Sequence, residues 1–282
     1  MKMNTEQKLY LGESPPINAP VLFKSELIPG GQLAHAGVFT PGMNEYYYTL
    51  SNASFSQFTV MYTRRSGDQW TTPKEAFFNS AYFEHGVHFT EDGQWVYFSS
   101  TRPITKEGNS SNWHIWRSKK IQNGWSEAQW INIPGMDGKS ASHPSLTRSG
   151  RMYFHSYDPD FSNMALFVTE SINGVFQKAK KIVFAEGENH NTLTPFVAPD
   201  ESYLLFEKKF DDFLELYISY LDNGDWQLPT RLSGNINTKN LGNPYITPDG
   251  QYLFYASGQW KQDTAPNDWD IKWVSTKDVF TR

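Results

Sequence analysis

The sequence of 282 residues contains no cysteine. Disulfide bonds, thiolate metal sites and cysteine nucleophiles are therefore excluded. No run of 18 apolar residues occurs either, so the sequence predicts no membrane insertion. The opening residues, MKMNTEQKLYLGESPP, lack the apolar segment of a signal peptide. We expect a soluble, cytoplasmic protein if this is the native product, and a periplasmic or secreted one if a leader has been removed.

Basic residues are also scarce. The chain has 25 Lys and Arg against 30 Asp and Glu, which gives a net charge of -5. No Lys/Arg-rich run stands out, and binding to phosphates needs a basic surface, so we expect no nucleic-acid partner. The nucleophile elbow, the P-loop and the dinucleotide fingerprint are missing from the sequence as well. The remaining classes of partner are a small molecule or glycan and another protein.

Aromatic residues, by contrast, are abundant. They make up 16% of the chain, with ten Trp, fifteen Tyr and twenty Phe. Flat rings pack well across neighbouring strands, so this composition favours an all-β protein.

A phrase consisting of a short apolar strand, a turn like Pro-Asp-Gly and an alternating aromatic strand occurs five times. Two copies, HFTEDGQWVYFSS from His88 and YITPDGQYLFYAS from Tyr245, are nearly identical. Each copy predicts a β-hairpin, because Asp caps the turn and Gly accepts a positive φ. The turn residues recur about every 50 residues, which is the period of a repeat architecture. They are Met43, Gly93, Gly150, Glu201 and Gly250.

Two further extended stretches follow each of the first four hairpins, whereas the fifth unit ends one strand short. Four strands per unit at this period predict a five-bladed β-propeller of antiparallel blades in one domain, 1–282. The stretch APVLFKSELIPG near the N-terminus resembles the missing strand, so we expect it to complete the last blade and close the ring. The predicted blades are 33–80, 81–135, 140–186, 188–236, and 240–282 with 18–30.

The segments FTEDGQWVYFSSTRP, FVAPDESYLLFE and ITPDGQYLFYAS resemble the WD40-like repeats called PD40, which occur in TolB-type propellers. The resemblance covers nearly the whole chain, and it is greatest to stand-alone bacterial proteins of this type. The resemblance implies a propeller fold but no specific function, because propellers host many unrelated activities. The second strand departs from the relatives' pattern, because His155 and Glu207 stand where the relatives often have Ser.

Histidines cluster where the innermost strands begin. Since strand one starts and strand two ends at the same edge of an antiparallel blade, we expect these histidines around one mouth of the channel. The same rim should hold Glu84, Asn243, His155 and Glu207. The predicted histidine ligands of a divalent metal ion are His35, His85, His143 and His190.

Three interpretations of these histidines remain open. They could be ordinary channel-lining residues that bind water or backbone. They could hold one divalent metal ion, as histidines do in propeller lyases of related repeat type. They could also provide acid–base catalysis without a metal, with His143, His155 and Glu207 as the catalytic residues.

The longest loops are predicted to lie on the same face, at residues 101–113 and 258–269. Long loops on a rigid scaffold often carry recognition. These loops contain three tryptophans whose side chains could stack on sugar rings: Trp113, Trp260 and Trp269. Together with Glu84 and Asn243, the three tryptophans form the predicted ligand-binding set.

Two functions follow from these residues. The first is a propeller that binds, and in an enzymatic form processes, a small polar or carbohydrate ligand at the histidine-rich mouth, as a metal-assisted hydrolase or lyase. The alternative is a non-catalytic propeller that binds a protein or glycan, as the TolB resemblance implies. A purely structural role in an assembly is the third and least attractive hypothesis.

Overall fold

The predicted five-bladed propeller is confirmed. The computed structural model is all-β and arranges small antiparallel sheets radially as five blades. It describes residues 9–27, 32–105, 112–187, 189–211, 213–232, 236–237, 240–260 and 266–280. Within each blade, the first three strands pair in chain order from the inner strand outward, and the short outer strands pair with the third strand or with each other.

The first strand of every blade is the innermost one. Blade one contains β2 (Gln32–Phe39), β3 (Glu45–Asn52), β4 (Phe58–Ser66), β5 (Gln69–Trp70) and β6 (Lys74–Glu75). Blade two contains β7 (Glu84–Phe89), β8 (Trp95–Ser100), β9 (His114–Ile121), β10 (Gly124–Trp125) and β11 (Gln129–Trp130). Blade three contains β12 (Ser140–Leu146), β13 (Met152–Tyr157), β14 (Ala165–Thr169), the hairpin β15 (Ser171–Ile172) and β16 (Val175–Phe176), and β17 (Lys180–Lys181). Blade four contains β18 (Thr192–Val197), β19 (Tyr203–Lys209), β20 (Leu214–Asp222), β21 (Asp225–Trp226) and β22 (Thr230–Arg231). Blade five contains β23 (Leu241–Ile246), β24 (Tyr252–Trp260), β25 (Pro266–Ser275) and β1 (Val21–Leu22).

The N-terminal segment closes the ring as predicted, although the paired strand is short. β1 runs antiparallel to β25, with Val21 opposite Trp273. The next residue, Phe23, continues the pairing by donating its N–H to the carbonyl of Ile271 at 2.9 Å. The chain then turns into a 3-10 helix at Ser25–Leu27, and a second 3-10 helix, Thr276–Asp278, follows β25.

Aromatic side chains fill the space between blades, as their abundance predicts. Phe78 of blade one stacks on Phe98 of blade two, with ring centroids 4.3 Å apart and planes at 14°. Tyr47 of blade one lies 5.0 Å from Phe89 of blade two. Because each blade packs its rings against the next, the core is a continuous belt around the channel.

None of the helices within the described residues is long and apolar enough to cross a membrane.

The closure of the ring can be tested by truncating Phe23. Its side chain is 2% exposed and packs within 5.2 Å of Tyr46, Phe254 and Trp273, measured between ring centroids. We expect Phe23→Ala to lower the free energy of unfolding by about 3–5 kcal/mol, as is usual for a buried Phe. Urea denaturation measures this loss.

The adjacent Leu22 provides the matched control, because its side chain is 47% exposed in the same segment. Leu22→Ala should change the free energy of unfolding by less than about 1 kcal/mol. Equal losses in the two variants would mean that Phe23 does not anchor the last blade.

Candidate functional site

Every innermost strand carries a β-bulge at the same place in the repeat. The pairing with the second strand shifts by one residue there, and the bulged residue adopts a left-handed backbone with φ between 41° and 60°. This conformation is strained for residues other than glycine, above all for the β-branched Thr194. The five bulge residues are Ala36, Gly86, His143, Thr194 and Asn243.

The bulges surround a small cavity in the channel. Its volume is about 40 Å³, and its walls come from all five inner strands, including every bulge residue. A space of this size admits a water molecule or a single hydroxyl group, not a sugar ring. The bulges therefore narrow the channel at this level.

Polar side chains of one blade bind the bulge of the next. The acceptor is a side chain near the end of strand two, at the position that pairs with the residue just before the bulge. It accepts a hydrogen bond from the backbone N–H of the bulge residue in the following blade. His155 and Glu207 occupy this acceptor position in their blades, where blade two has Ser99. The acceptor and donor pairs are Ser99 and His143 at 2.9 Å, His155 and Thr194 at 3.2 Å, and Glu207 and Asn243 at 2.6 Å.

Four of the seven histidines meet beside these bulges. The ring centroids of His85 and His143 are 4.3 Å apart, and those of His143 and His155 are 5.1 Å apart. Ser142 bridges the first pair, because its hydroxyl lies 2.8 Å from Nε2 of His85 and 3.1 Å from Nδ1 of His143. On the other side of His143, its Nε2 lies 3.2 Å from the side-chain amide of Asn243.

The fourth histidine, His35, completes the group from blade one. It is 4% exposed and hydrogen-bonds to Asn243, and its Nε2 is buried without a partner among the described residues. A buried polar atom without a partner is costly, so this nitrogen is a natural position for water or for a ligand group.

The four imidazoles are neutral at physiological pH. Burial lowers the pKa of His35 to about 4 and that of His155 to about 3. Burial, reinforced by the neighbouring imidazoles, also holds the pKa values of His85 and His143 well below the usual range. Since Nδ1 of His155 accepts a backbone N–H, its proton must reside on Nε2.

Glu207 is the carboxyl group of this network. It is 5% exposed and accepts hydrogen bonds from the Thr194 hydroxyl and from the Asn243 backbone. Burial raises its pKa to about 7, although the two hydrogen bonds act in the opposite direction. Glu207 can therefore gain or lose a proton near neutral pH.

Aromatic rings cover one side of the cluster. Trp113, which is half-buried, stacks on His85 with ring centroids 3.9 Å apart and planes at 25°. Phe58 lies 5.5 Å from Trp113 and 5.8 Å from His35. The structure thus places Trp113, one of the predicted ligand-binding tryptophans, against the histidines.

Of the other predicted site residues, the structure places His190 at the surface and Trp269 in the core. His190 is exposed and lies three residues before Leu193, which occupies the place of His35 and His85 in its blade. Trp269 is 5% exposed and packs in a core cluster with Leu33. The side chain of Trp260 lies outside the described residues.

Glu84, also predicted at this rim, is committed to an ion pair. It is 1% exposed, and its Oε1 lies 2.8 Å from the Arg102 guanidinium and also accepts hydrogen bonds from the hydroxyls of Ser80 and Ser100. The second oxygen accepts the backbone N–H of Ser80. These contacts fix the start of β7 and leave the carboxylate little capacity for a ligand.

The predicted metal site receives no support. Across the parts of the chain that the structure describes, no three His, Cys, Asp or Glu side chains are placed to hold a metal ion. His143 has both ring nitrogens engaged by Ser142 and Asn243, and His155 has Nδ1 engaged by Thr194.

Ser142 and Thr194, which connect the histidines and Glu207, were not predicted from the sequence. A signal for the bulges was present, because three of the five bulge residues precede proline at the same place in the repeat. These pairs are His143-Pro144, Thr194-Pro195 and Asn243-Pro244. Their left-handed backbone follows from the register shift, which periodicity does not reveal.

Comparisons with known proteins show the fold and no more. No protein-family model and no curated protein matches the sequence. Among solved structures, putative TolB from Agrobacterium tumefaciens is 14% identical with a TM-score of 0.55, over 89% of this chain and 80% of that one. The catalytic domain of a Coprinopsis cinerea GH62 α-L-arabinofuranosidase is 12% identical with a TM-score of 0.54, over 94% and 96%. A thermostable family-43 glycoside hydrolase is 13% identical with a TM-score of 0.55, over 88% and 91%.

The likeness to TolB is therefore confirmed for the propeller fold. No family model supports the narrower PD40 assignment.

The raised pKa of Glu207 predicts a pH-dependent effect of Glu207→Gln. The folded state keeps this proton up to about pH 7, whereas the unfolded chain releases it near 4.5. The contribution of Glu207 to stability therefore declines as the pH rises through this window. We expect Glu207→Gln, which resembles the protonated form, to exceed the wild type in unfolding free energy by about 2–3 kcal/mol at pH 8. Near pH 5 the difference should vanish, and urea denaturation at the two pH values measures it.

Glu84→Gln is the control, since it removes one partner of a buried ion pair. This variant should be less stable than the wild type at pH 8 by about 3 kcal/mol. A Glu207→Gln variant that is also destabilised at pH 8 would contradict the assignment.

Proposed function

We propose that the protein binds a small, neutral, polar ligand of the carbohydrate type at the histidine-rich end of its channel. The observation that carries this proposal is the convergence of four neutral imidazoles, the Asn243 amide and Glu207 beside the ring of strained bulges. Backbone strain persists where the surrounding structure holds it, and it concentrates at functional sites.

The charge state of the site favours a neutral ligand. Neutral imidazoles provide hydrogen bonds without a positive charge, so they cannot compensate a ligand's carboxylate or phosphate. Glu207 adds negative charge above pH 7 and would repel an anion. A hydroxylated ligand without charge meets neither obstacle.

The size of the cavity indicates how such a ligand sits. A volume of about 40 Å³ accepts one hydroxyl group beside His143 and Asn243. The rest of the ligand would remain on the histidine-rich face, where the half-buried Trp113 offers an apolar surface. Trp260, whose side chain lies outside the described residues, stays a proposed contact on the same face.

Binding is a better proposal than glycoside hydrolysis, although two of the similar folds are glycoside hydrolases by name. Most glycosidases need two carboxyl groups on opposite sides of the scissile bond. Of the two glutamates predicted at this mouth, Glu84 is paired with Arg102, so Glu207 alone is free of an ion pair.

A second candidate function is catalysis by a single acid–base group. The specific observation that favours it is the pKa of about 7 for Glu207, which suits proton transfer near neutral pH. A lyase that abstracts one proton needs one such base, so this candidate fits the site better than a hydrolase does. His155, on the neighbouring blade, would then assist as a neutral hydrogen-bonding group.

The binding proposal is tested with Asn243→Gly. Glycine accepts the left-handed backbone of this bulge, so the variant deletes the amide without adding strain. We expect at least a 10-fold loss of affinity for whichever neutral sugar binds the wild type. The probes are L-arabinose, D-xylose, D-galactose and xylotriose in ligand-observed NMR titrations, with D-glucuronate as the charged counterpart.

Ala36→Gly is the matched control, because it alters the equivalent bulge in blade one and removes only a methyl group. It should leave affinity unchanged. The proposal fails if no neutral sugar binds, if glucuronate binds best, or if Asn243→Gly retains full affinity. Turnover of a probe that is lost in Glu207→Gln while binding persists would favour the catalytic candidate.

A further inference from the structure

A second cavity lies away from the histidines, between blades two and three. Its volume is about 600 Å³, and it opens beside the hairpin turns of both blades. That volume falls in the usual range for small-molecule sites. The residues that matter for its chemistry are Trp95, Tyr97, Arg117 and Phe176.

An arginine occupies a position of the repeat that is otherwise apolar or aromatic. Arg117 of β9 lies opposite Tyr97 of β8. Tyr97 stands two residues before Ser99, which occupies the acceptor position of β8. The position of Arg117 in the other four blades holds an uncharged side chain that packs against the core. Those residues are Tyr62, Val168, Ile218 and Trp273.

The Arg117 guanidinium is held between aromatic rings. Its Cζ lies 4.6 Å from the ring centroid of Trp95 and 5.9 Å from that of Phe176. It also reaches the buried Tyr97 hydroxyl, where its charge offsets part of the rise in pKa that burial causes. Stacking of this kind fixes the plane of the guanidinium and leaves its N–H edges free to bind in that plane.

In blades one and three the equivalent tyrosine and a nearby arginine share a carboxylate. Tyr47 donates to Glu45 at 3.0 Å, and Glu45 also pairs with Arg64 at 3.0 Å. In blade three, Tyr153 donates to Glu201, which pairs with Arg151 at 2.8 Å. The carboxylate thus satisfies both partners.

Blade two has the tyrosine and the arginine without the carboxylate. Trp95 stands where blade one has Glu45, two residues before the tyrosine. No carboxylate within the described ranges forms an ion pair with Arg117.

The other charged groups of the cavity are already engaged. Asp92 lies near Tyr97 but accepts hydrogen bonds from Thr90 and from the backbone of Gln94. Arg148 forms two bonds with Glu91, at 2.6 and 2.7 Å, so their charges cancel.

We propose that this cavity binds a small aromatic or apolar ligand through a carboxylate or phosphate group that pairs with Arg117 and Tyr97. The anion supplies the partner that Glu45 and Glu201 supply in the neighbouring blades. Guanidinium groups bind both oxyanions in a bidentate manner. The apolar part of the ligand packs against Trp95 and Phe176, between blades two and three.

The test uses three probes of similar shape: benzoate, phenyl phosphate and the neutral benzyl alcohol. Affinity is measured by ligand-observed NMR titration at low ionic strength, up to about 10 mM probe. We expect benzoate or phenyl phosphate to bind at least 10-fold more tightly than benzyl alcohol, and the tighter of the two identifies the anion. Arg117→Gln, which removes the charge and keeps a hydrogen-bonding side chain, should lower that affinity at least 10-fold.

Two further variants separate ligand binding from folding, and thermal unfolding checks each protein. Trp95→Glu places a carboxylate where blade one has Glu45, so it should abolish binding of the anions while the protein stays folded. Arg64→Gln removes an arginine that already pairs with a carboxylate of the protein, that of Glu45, so it should leave binding of the probes unchanged. Equal affinity of all three probes, no binding of any probe, or full affinity in Arg117→Gln would overturn the proposal.

Discussion

The capture of a backbone N–H by a side chain of the preceding blade is the interaction on which the centre of this propeller depends. A bulge in an inner strand removes a backbone group from the regular ladder, and a buried N–H without a partner is destabilising. Ser99, His155 and Glu207 supply the acceptor for three of the five bulges. The choice of side chain at this one position therefore determines both how adjacent blades connect and which chemical groups surround the channel.

A second ring of the same kind lies further along the channel. There, side chains of the inner strands accept or exchange hydrogen bonds with the backbone of the next blade. The pairs are His88 with Leu146 at 3.1 Å, Ser145 with Val197 at 2.9 Å, and Tyr245 with Phe39 at 3.2 Å. His88 acts as an acceptor through Nε2, and burial lowers its pKa to about 4. Histidine thus serves as a neutral acceptor at both levels, so a histidine near the axis is not by itself evidence for a metal.

The fold could be predicted from the sequence because the same structural unit is repeated five times. A hairpin that recurs about every 50 residues fixes the number of blades. The missing last strand pointed to the stretch APVLFKSELIPG, in which Val21 and Leu22 form the closing strand. The convergence of His35, His85, His143 and His155 also followed from strand polarity. His190 lies three residues before Leu193, which holds the equivalent position in blade four, because grouping short segments by their histidines does not fix the register of each inner strand. Trp269 and Glu84 were assigned to the rim since sequence does not show that one packs in the core and the other pairs with Arg102.

The same repeat explains why blade two carries the second cavity. A substitution within a repeat is informative when the other copies show what the position ordinarily does. Arg117 is the charged residue among five equivalent positions, and Trp95 stands where blade one has Glu45. The Arg117 cation therefore has no carboxylate partner within the described residues. Such a comparison needs the register of each blade, because the relevant partners are opposite one another across strands and are distant in sequence.

Long-range ¹H–¹⁵N NMR of the imidazoles tests most directly the assignment of His88 and His155 as neutral acceptors fixed by backbone donors. We expect His155 to carry its proton on Nε2 and His88 on Nδ1, and both rings to remain neutral as the pH falls from 8 to 5. Protonated rings at pH 6, or the opposite tautomers, would contradict it.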